Sequence, residues 1–207
     1  APIELVRPRA QNAQPLGGAV SGAAFSEAGD RLFATCVSGA VTVHDAQQDG
    51  LPILRTLPSV APADYIGNYY LACTGGLLAA VTGPTADQSG RQVEVWRVDE
   101  RGQETHLHTL GAFESRACSV AIRHDGKQIA VGLRDGTVMV FSATGPGGGG
   151  TAELVVEVAP PQALVVGGDA ADNPVHSLCF SPDGTKLAAG RKSTNDFTVY
   201  DMGAAAA

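Results

Sequence analysis

The sequence predicts an all-β fold, a β-propeller of four-stranded antiparallel blades, with about four blades in this chain. Three observations carry that reading. The first is a repeated cassette. Val175–Gly190 reads Val-His-Ser-Leu-Cys-Phe-Ser-Pro-Asp-Gly-Thr-Lys-Leu-Ala-Ala-Gly, Ala117–Gly132 is a second copy, and Val20–Thr35 is a looser third. The second is spacing. Leu32, Leu78, Ile129 and Leu187, which open the small-residue strand of each unit, stand 46, 51 and 58 residues apart. Self-similarity at a period of roughly 40–50 residues is the sequence mark of blades. The third is alternation. Each small-residue strand is followed by a period-2 strand: Val41/Val43, Val93/Val95, Val138/Val140 and Phe197/Val199. That pattern belongs to half-buried strands.

The elements follow in order along four units, approximately 18–58, 65–112, 116–159 and 174–202. Each begins with an apolar strand, and Phe25, Leu71, Ile122 and Phe180 lie seven residues before their alignment residues. They are therefore expected at equivalent buried positions. Pro182-Asp-Gly184 and His124-Asp-Gly126 supply tight turns into the second strand, because glycine accepts positive φ at little cost. Asp135-Gly136 does the same between second and third strands. Fourth strands are expected at Ile53–Leu57, His106–Leu110 and Leu154–Val158. The last unit stops after its third strand, near Asp201.

The ends leave two arrangements open. Residues 1–9 contain an extended stretch, Pro2-Ile-Glu-Leu-Val6, that reads as a strand of a neighbouring or closing blade. It would either complete the last unit and close a ring, or belong to a larger propeller of which this chain is a slice. The slice is the expectation, because an open array exposes sheet edges and half a core. Pro84–Gln92, the glycine tract Thr144–Thr151 and Pro160–Pro174 read as loop insertions.

Composition narrows function. Of the 207 residues 44% are apolar and 17% charged, which suits a globular chain rather than a disordered one. The formal net charge of −7 argues against nucleic acid as a partner, since phosphate binding wants a basic face. No run of about 18 apolar residues and no signal-peptide pattern occurs, so membrane insertion and secretion have no support. Cys36, Cys73, Cys118 and Cys179 fall one per unit with no C-x-x-C pair. That spacing suits buried thiols of an intracellular protein better than a disulfide framework.

The stretch Phe180-Ser-Pro-Asp-Gly-Thr-Lys-Leu-Ala-Ala-Gly190, with Val199-Tyr-Asp201 after it and Arg134-Asp-Gly-Thr-Val-Met-Val-Phe141 in the unit before, resembles the WD40 repeat. The resemblance is strongest over 116–202, moderate over 18–58 and weak over 65–110, where Val93-Glu-Val-Trp-Arg-Val98 carries it. The departures are plain. His44-Asp45, Trp96-Arg97, Phe141-Ser142 and Tyr200-Asp201 stand where that repeat has its Trp-Asp pair, and no Gly-His dipeptide precedes any cassette. Within that group, Ile129–Phe141 and Leu187–Asp201, with Asn195-Asp-Phe197 inside it, resemble the echinoderm microtubule-associated protein-like family. That resemblance implies tandem atypical propellers, tubulin or axonemal partners, and a cytoplasmic, cytoskeletal or ciliary location.

No constellation of catalytic residues stands out. His106 and His108 form an H-x-H on one strand, and strict alternation would put both rings on one face, half of a zinc site. No Cys, Asp or Glu is placed to supply the rest, so an ordinary outer-strand pair is expected. Gly190-Arg-Lys-Ser193 lacks the spacing and the following helix of a phosphate loop. Asp125, Asp135 and Asp183 fall in turns, where carboxylates bond the local backbone. Cys118 and Cys179 sit in apolar strands, where thiols are inert. No metal and no cofactor is expected. The remaining signal is a set of cations in an acidic chain: Arg134, Arg191 and Lys192 in the loops between second and third strands. They suggest a basic rim that docks an acidic protein, with solvated turn cations as the plainer alternative. The expected function is a non-enzymatic protein–protein interaction scaffold in a large assembly. The alternatives are an adaptor in trafficking or ubiquitin ligation, and a propeller enzyme whose active site lies in blades not present here.

Overall fold

The computed structural model describes residues 20–36, 41–57, 71–82, 92–111, 113–143, 153–158 and 173–202. The stretch Pro2–Val6, the glycine tract, and most of the insertions at 84–92 and 160–174 lie outside the described residues. Fifteen strands and no helix occur among the described residues. Blade 1 comprises β1 (Val20–Phe25), β2 (Arg31–Cys36), β3 (Val41–Asp45) and β4 (Ile53–Leu57). Blade 2 comprises β5 (Leu71–Thr74), β6 (Leu77–Thr82), β7 (Gln92–Val98) and β8 (Glu104–Leu110). Blade 3 comprises β9 (Ala117–Ile122), β10 (Gln128–Leu133), β11 (Val138–Ser142) and β12 (Glu153–Val158). Blade 4 has three strands: β13 (Val175–Phe180), β14 (Lys186–Arg191) and β15 (Phe197–Asp201). Every sheet is an antiparallel meander in chain order. The first strands of successive blades approach one another, β1 with β5, β5 with β9 and β9 with β13.

Side-chain alternation gives each blade two apolar faces, and the core forms where they meet. Phe33, Val41, Val43 and Leu57 of blade 1 pack on Leu78, Ala80 and Trp96 of blade 2. The opposite face of blade 2, with Ala79, Val93 and Val95, packs on Ile122, Ile129, Val131 and Phe141 of blade 3. Ala130, Val138 and Val140 of blade 3 pack on Val175, Leu187 and Ala189 of blade 4. A Val, Ile or Leu fully buried in this way contributes roughly 1.5–3 kcal/mol. The position of the repeat's tryptophan is held by His44, Trp96, Phe141 and Tyr200 in the four blades, each paired with its alignment residue. His44 is only 1% exposed, which requires both ring nitrogens to find partners. Nδ1–H donates to the Leu51 carbonyl at 2.8 Å, so Nε2 accepts from the Thr42 hydroxyl at 2.9 Å.

The turn into the second strand is the same in three blades. Gly29, Gly126 and Gly184, at φ 71°, 71° and 70°, each donate their N–H to the carbonyl three residues back. Blade 2 differs. Gly75 and Gly76, both at positive φ, close a two-residue hairpin, so Leu78 pairs with Cys73 rather than with a residue seven positions earlier. Leu71 instead faces Ala80, and the expected equivalence of Leu71 with the other three is corrected to Cys73. Phe25, Ile122 and Phe180 do hold equivalent places, opposite Leu32, Ile129 and Leu187. Their burial is unequal. Ile122 is buried in the core between blades 2 and 3, Phe180 is half-buried against the core between blades 3 and 4, and Phe25, which belongs to none of the core clusters among the described residues, is 58% exposed. Truncation of Phe180 therefore costs less than the roughly 3–5 kcal/mol of a fully buried phenylalanine.

Candidate interaction surface

The turns between second and third strands carry the three cations expected to form a rim. Arg134 and Lys192 hold equivalent positions, and the backbone shows it. Arg134 N–H donates to the Arg116 carbonyl at 2.8 Å, and Lys192 N–H donates to the Pro174 carbonyl at 3.2 Å. Gly136, at φ 92°, closes the first turn, and Asp135 Oδ1 accepts from Thr137 N–H at 2.9 Å. In the second turn Asn173 Oδ1 accepts from Ser193 N–H at 3.2 Å, and Asn195 takes a positive φ of 52°. Both cationic side chains are exposed. Arg116 lies beside Arg134, and partial burial, then the neighbouring guanidinium, lowers its pKa below the usual arginine range.

Arg191 does not share this rim. Its register position matches Leu133 of blade 3, which is 3% exposed, and the Arg191 side chain is 1% exposed. The guanidinium is turned into the blade 3–blade 4 seam. Nη1 donates to Thr198 Oγ1 at 2.8 Å and Nη2 to the Tyr200 hydroxyl at 2.5 Å, with the Gly136 carbonyl at 3.5 Å and Asp196 Oδ1 at 3.9 Å. The expectation for Arg191 is thus corrected from surface cation to interior clamp. A strand that ends one residue later than the turn suggests keeps residue 191 on the inward face.

The H-x-H pair is also separated. A β-bulge shifts the register between Val95 and Trp96, so His106 stands opposite Trp96 and His108 opposite Val95. The two rings therefore fall on opposite faces of blade 2. His106 Nε2 lies 2.5 Å from Glu94 Oε2, which also accepts from the Thr109 hydroxyl at 2.9 Å, and its ring stands edge-on to Trp96. The His108 pKa is lowered, by burial first and then by His106. Among the described residues no group of three or more His, Cys, Asp or Glu side chains is placed to hold a metal ion.

On the opposite end of the blades a cavity of about 390 Å³ opens between blades 1 and 2. Glu27, Asp30, Asp99 and Glu100 stand at it, with Cys73 and Val98 in its wall. Burial, then Glu27 and Glu104, pushes the Cys73 thiol up to about 11. Cys179, expected buried, is exposed on the outer face of blade 4. Outside the cavity, Arg55 ties the outer strands of blades 1 and 2 together through the Glu104 carboxylate and the Gly102 carbonyl.

Comparison with known proteins agrees with the blades. Residues 104–142 and 164–200 match the WD40 family, described as WD domain, G-beta repeat. No curated protein matches. Among solved structures, the β-propeller domain of Myceliophteria thermophila Cps50 (Swd1) is 19% identical with a TM-score of 0.62, over 89% of this chain and 52% of that one. A chain of the mitotic checkpoint complex is 17% identical with a TM-score of 0.63, over 88% of this chain and 50% of that one. A putative 6-phosphogluconolactonase from Bacteroides uniformis is 15% identical with a TM-score of 0.63, over 96% of this chain and 55% of that one. The chain spans about half the length of each of these structures. The fold is that of a run of WD40-like propeller blades.

Proposed function

We propose that this chain is a non-enzymatic protein-interaction scaffold, and that the exposed turns bearing Arg134 and Lys192 dock an acidic protein surface. One observation carries the reading. Two cations occupy equivalent turns of successive blades, held by equivalent backbone bonds, on a chain whose net charge is −7. Cations placed so steer and orient an acidic partner more than they stabilise the blade. The similar chain from the mitotic checkpoint complex belongs, by its own description, to a multi-protein assembly, which fits a scaffold. Tubulin or an axonemal protein is the partner proposed from the resemblance of Ile129–Phe141 and Leu187–Asp201, with a cytoplasmic, cytoskeletal or ciliary location. Further blades completing a larger propeller belong to the same proposal.

The test is charge reversal. The double variant R134E/K192E is expected to weaken co-sedimentation with microtubules, or recovery of the native complex, in a salt-sensitive way with the thermal midpoint unchanged. Unchanged recovery at low salt would leave these residues a solvated rim. The second reading, a propeller enzyme, is favoured by the lactonase-like structure and would be supported by lactone hydrolysis that the double variant leaves intact.

A further inference from the structure

At the end of the blades away from Arg134 and Lys192, the three seams between blades are closed in different ways. Between blades 3 and 4 the closing group is Arg123, only 5% exposed. Its stem lies over the turn of blade 4, where a Cβ at Gly184 would stand 2.6 Å from Arg123 Cδ. Its guanidinium donates through Nε and Nη2 to the two Asp125 carboxylate oxygens, at 2.8 and 2.7 Å. Between blades 2 and 3 the backbone itself closes the seam, because a Cβ at Gly75 would stand 2.5 Å from Gly126 N. Between blades 1 and 2 the seam stays open, as the cavity of about 390 Å³.

The residue that holds the place of Arg123 in blade 1 is Ser26. Each donates its N–H across its turn, to the Arg31 or Gln128 carbonyl, and each carbonyl accepts from the turn glycine, Gly29 or Gly126. A serine is too short to cross to the next blade, and its hydroxyl donates to Asp30 Oδ1 at 2.8 Å within its own turn. Both flanking blades have all four strands, and their turns at this end, 26–30, 46–52, 75–76 and 99–103, belong to the described residues. Carboxylates stand there without matching cations. Arg31 pairs with Asp30 at 3.1 Å, and Arg55 with Glu104. Asp99 Oδ1 accepts from the Arg101 and Gln103 N–H groups at 2.9 and 2.8 Å. Glu27 and Glu100, both exposed, have no ion-pair or hydrogen-bond partner among the described residues. Deeper in, Glu104 Oε1 is buried with no hydrogen-bond partner. Burial, then Glu27 and Glu104, raises the Cys73 thiol to about 11, so the negative field reaches the cavity wall.

We propose that the cavity between blades 1 and 2 takes an arginine side chain from a basic segment of a partner protein, in the place that Arg123 fills between blades 3 and 4. The methylene stem of the incoming arginine lies against Val98 and Cys73, and its guanidinium meets the carboxylates of Glu27 and Glu100. The planar fork can bridge two carboxylates, which the single ammonium of a lysine does less well. This extends the scaffold reading to the opposite end of the blades. The two fail separately, because Arg134 and Lys192 take no part in the cavity.

The probe is the peptide Gly-Ser-Ala-Arg-Ala-Ser-Gly, titrated against the isotope-labelled 207-residue chain and followed by amide chemical shifts. Saturable changes are expected at the turns 26–30, 75–76 and 99–103, weakening as salt is raised. A peptide with citrulline for arginine keeps the shape and loses the charge, and should bind at least about tenfold more weakly. This arm cannot be confused with misfolding of the chain. The chain variant E27Q/E100Q should weaken binding by a similar factor with its thermal midpoint unchanged, since both side chains are exposed and unbonded. R134E/K192E should bind the peptide as the parent chain does. Equal affinity for the citrulline peptide, or binding indifferent to E27Q/E100Q, overturns the site. Shift changes at the same turns that grow with protein concentration in the absence of peptide would give the cavity to a second copy and overturn the partner.

Discussion

Blades 3 and 4 are built on nearly the same cassette and meet different surroundings. Val138 and Val140 are fully buried beneath blade 4, while their counterparts Phe197 and Val199 are 76% and 50% exposed. Gly132 and Gly190 are equivalent too. A Cβ at Gly132 would stand 2.4 Å from Ser119 Oγ and 2.6 Å from Val175 Cγ1, whereas one at Gly190 would crowd only Ser177 Oγ, at 2.5 Å. Ser119 Oγ is fixed by a 2.7 Å bond to the Val175 carbonyl, and Ser177 is exposed. The contrast teaches that burial here belongs to stacking. The strand pattern offers an apolar face, and only a neighbouring blade turns it into core.

Substitution in pairs puts numbers on that contrast. The largest effect is expected for Val140→Ala, about 1.5–3 kcal/mol from lost burial and an unfilled space, against about 0.5 kcal/mol or less for Val199→Ala. Urea unfolding of both variants checks it, and equal losses would mean that blade 4 is covered as blade 3 is. Next comes Gly132→Ala, which must displace a fixed hydroxyl and a buried valine and should cost about 1–3 kcal/mol. Gly190→Ala meets one movable hydroxyl and should stay within about 0.5 kcal/mol. A costly Gly190→Ala would show that Ser177 is held in place by something stacked on it.

The smallest effect is in acid. Asp125 and Asp183 close equivalent turns by different means. The Arg123 guanidinium holds the Asp125 carboxyl below the usual range. The Ser181 hydroxyl, then Thr185, holds Asp183 at about 2. A carboxyl depressed in the folded state contributes stability that is full above its unfolded pKa and lost as pH falls through the folded one. For Asp183 the window runs from about pH 4 down to about pH 2. The group is fully exposed, so the loss is small, and Asp183→Asn should flatten the stability profile in that window. Carboxyl chemical shifts followed through the same pH range check it directly. Titration of Asp183 near pH 4 would break the comparison.

The amino-acid sequence by itself determined the order and kind of the strands. Period-2 alternation at Val138/Val140 and positive-φ glycines at 126 and 184 act through neighbours in the chain, so their consequences can be read locally. Tertiary structure alone decided four other matters. The two-residue Gly75-Gly76 hairpin moved the paired position from Leu71 to Cys73, because turn length sets register for the whole strand. A bulge in β8 sent His106 and His108 to opposite faces, one bonded to Glu94 and the other set against Val95. β14 kept Arg191 inward, where Thr198, Tyr200 and Gly136 accept from its two terminal nitrogens, while Lys192 one residue later reached solvent. Finally, whether a face such as that of Phe197 and Val199 is core or surface depends on what stacks against it. That contact lies across space rather than along the chain, and no periodicity within a strand encodes it.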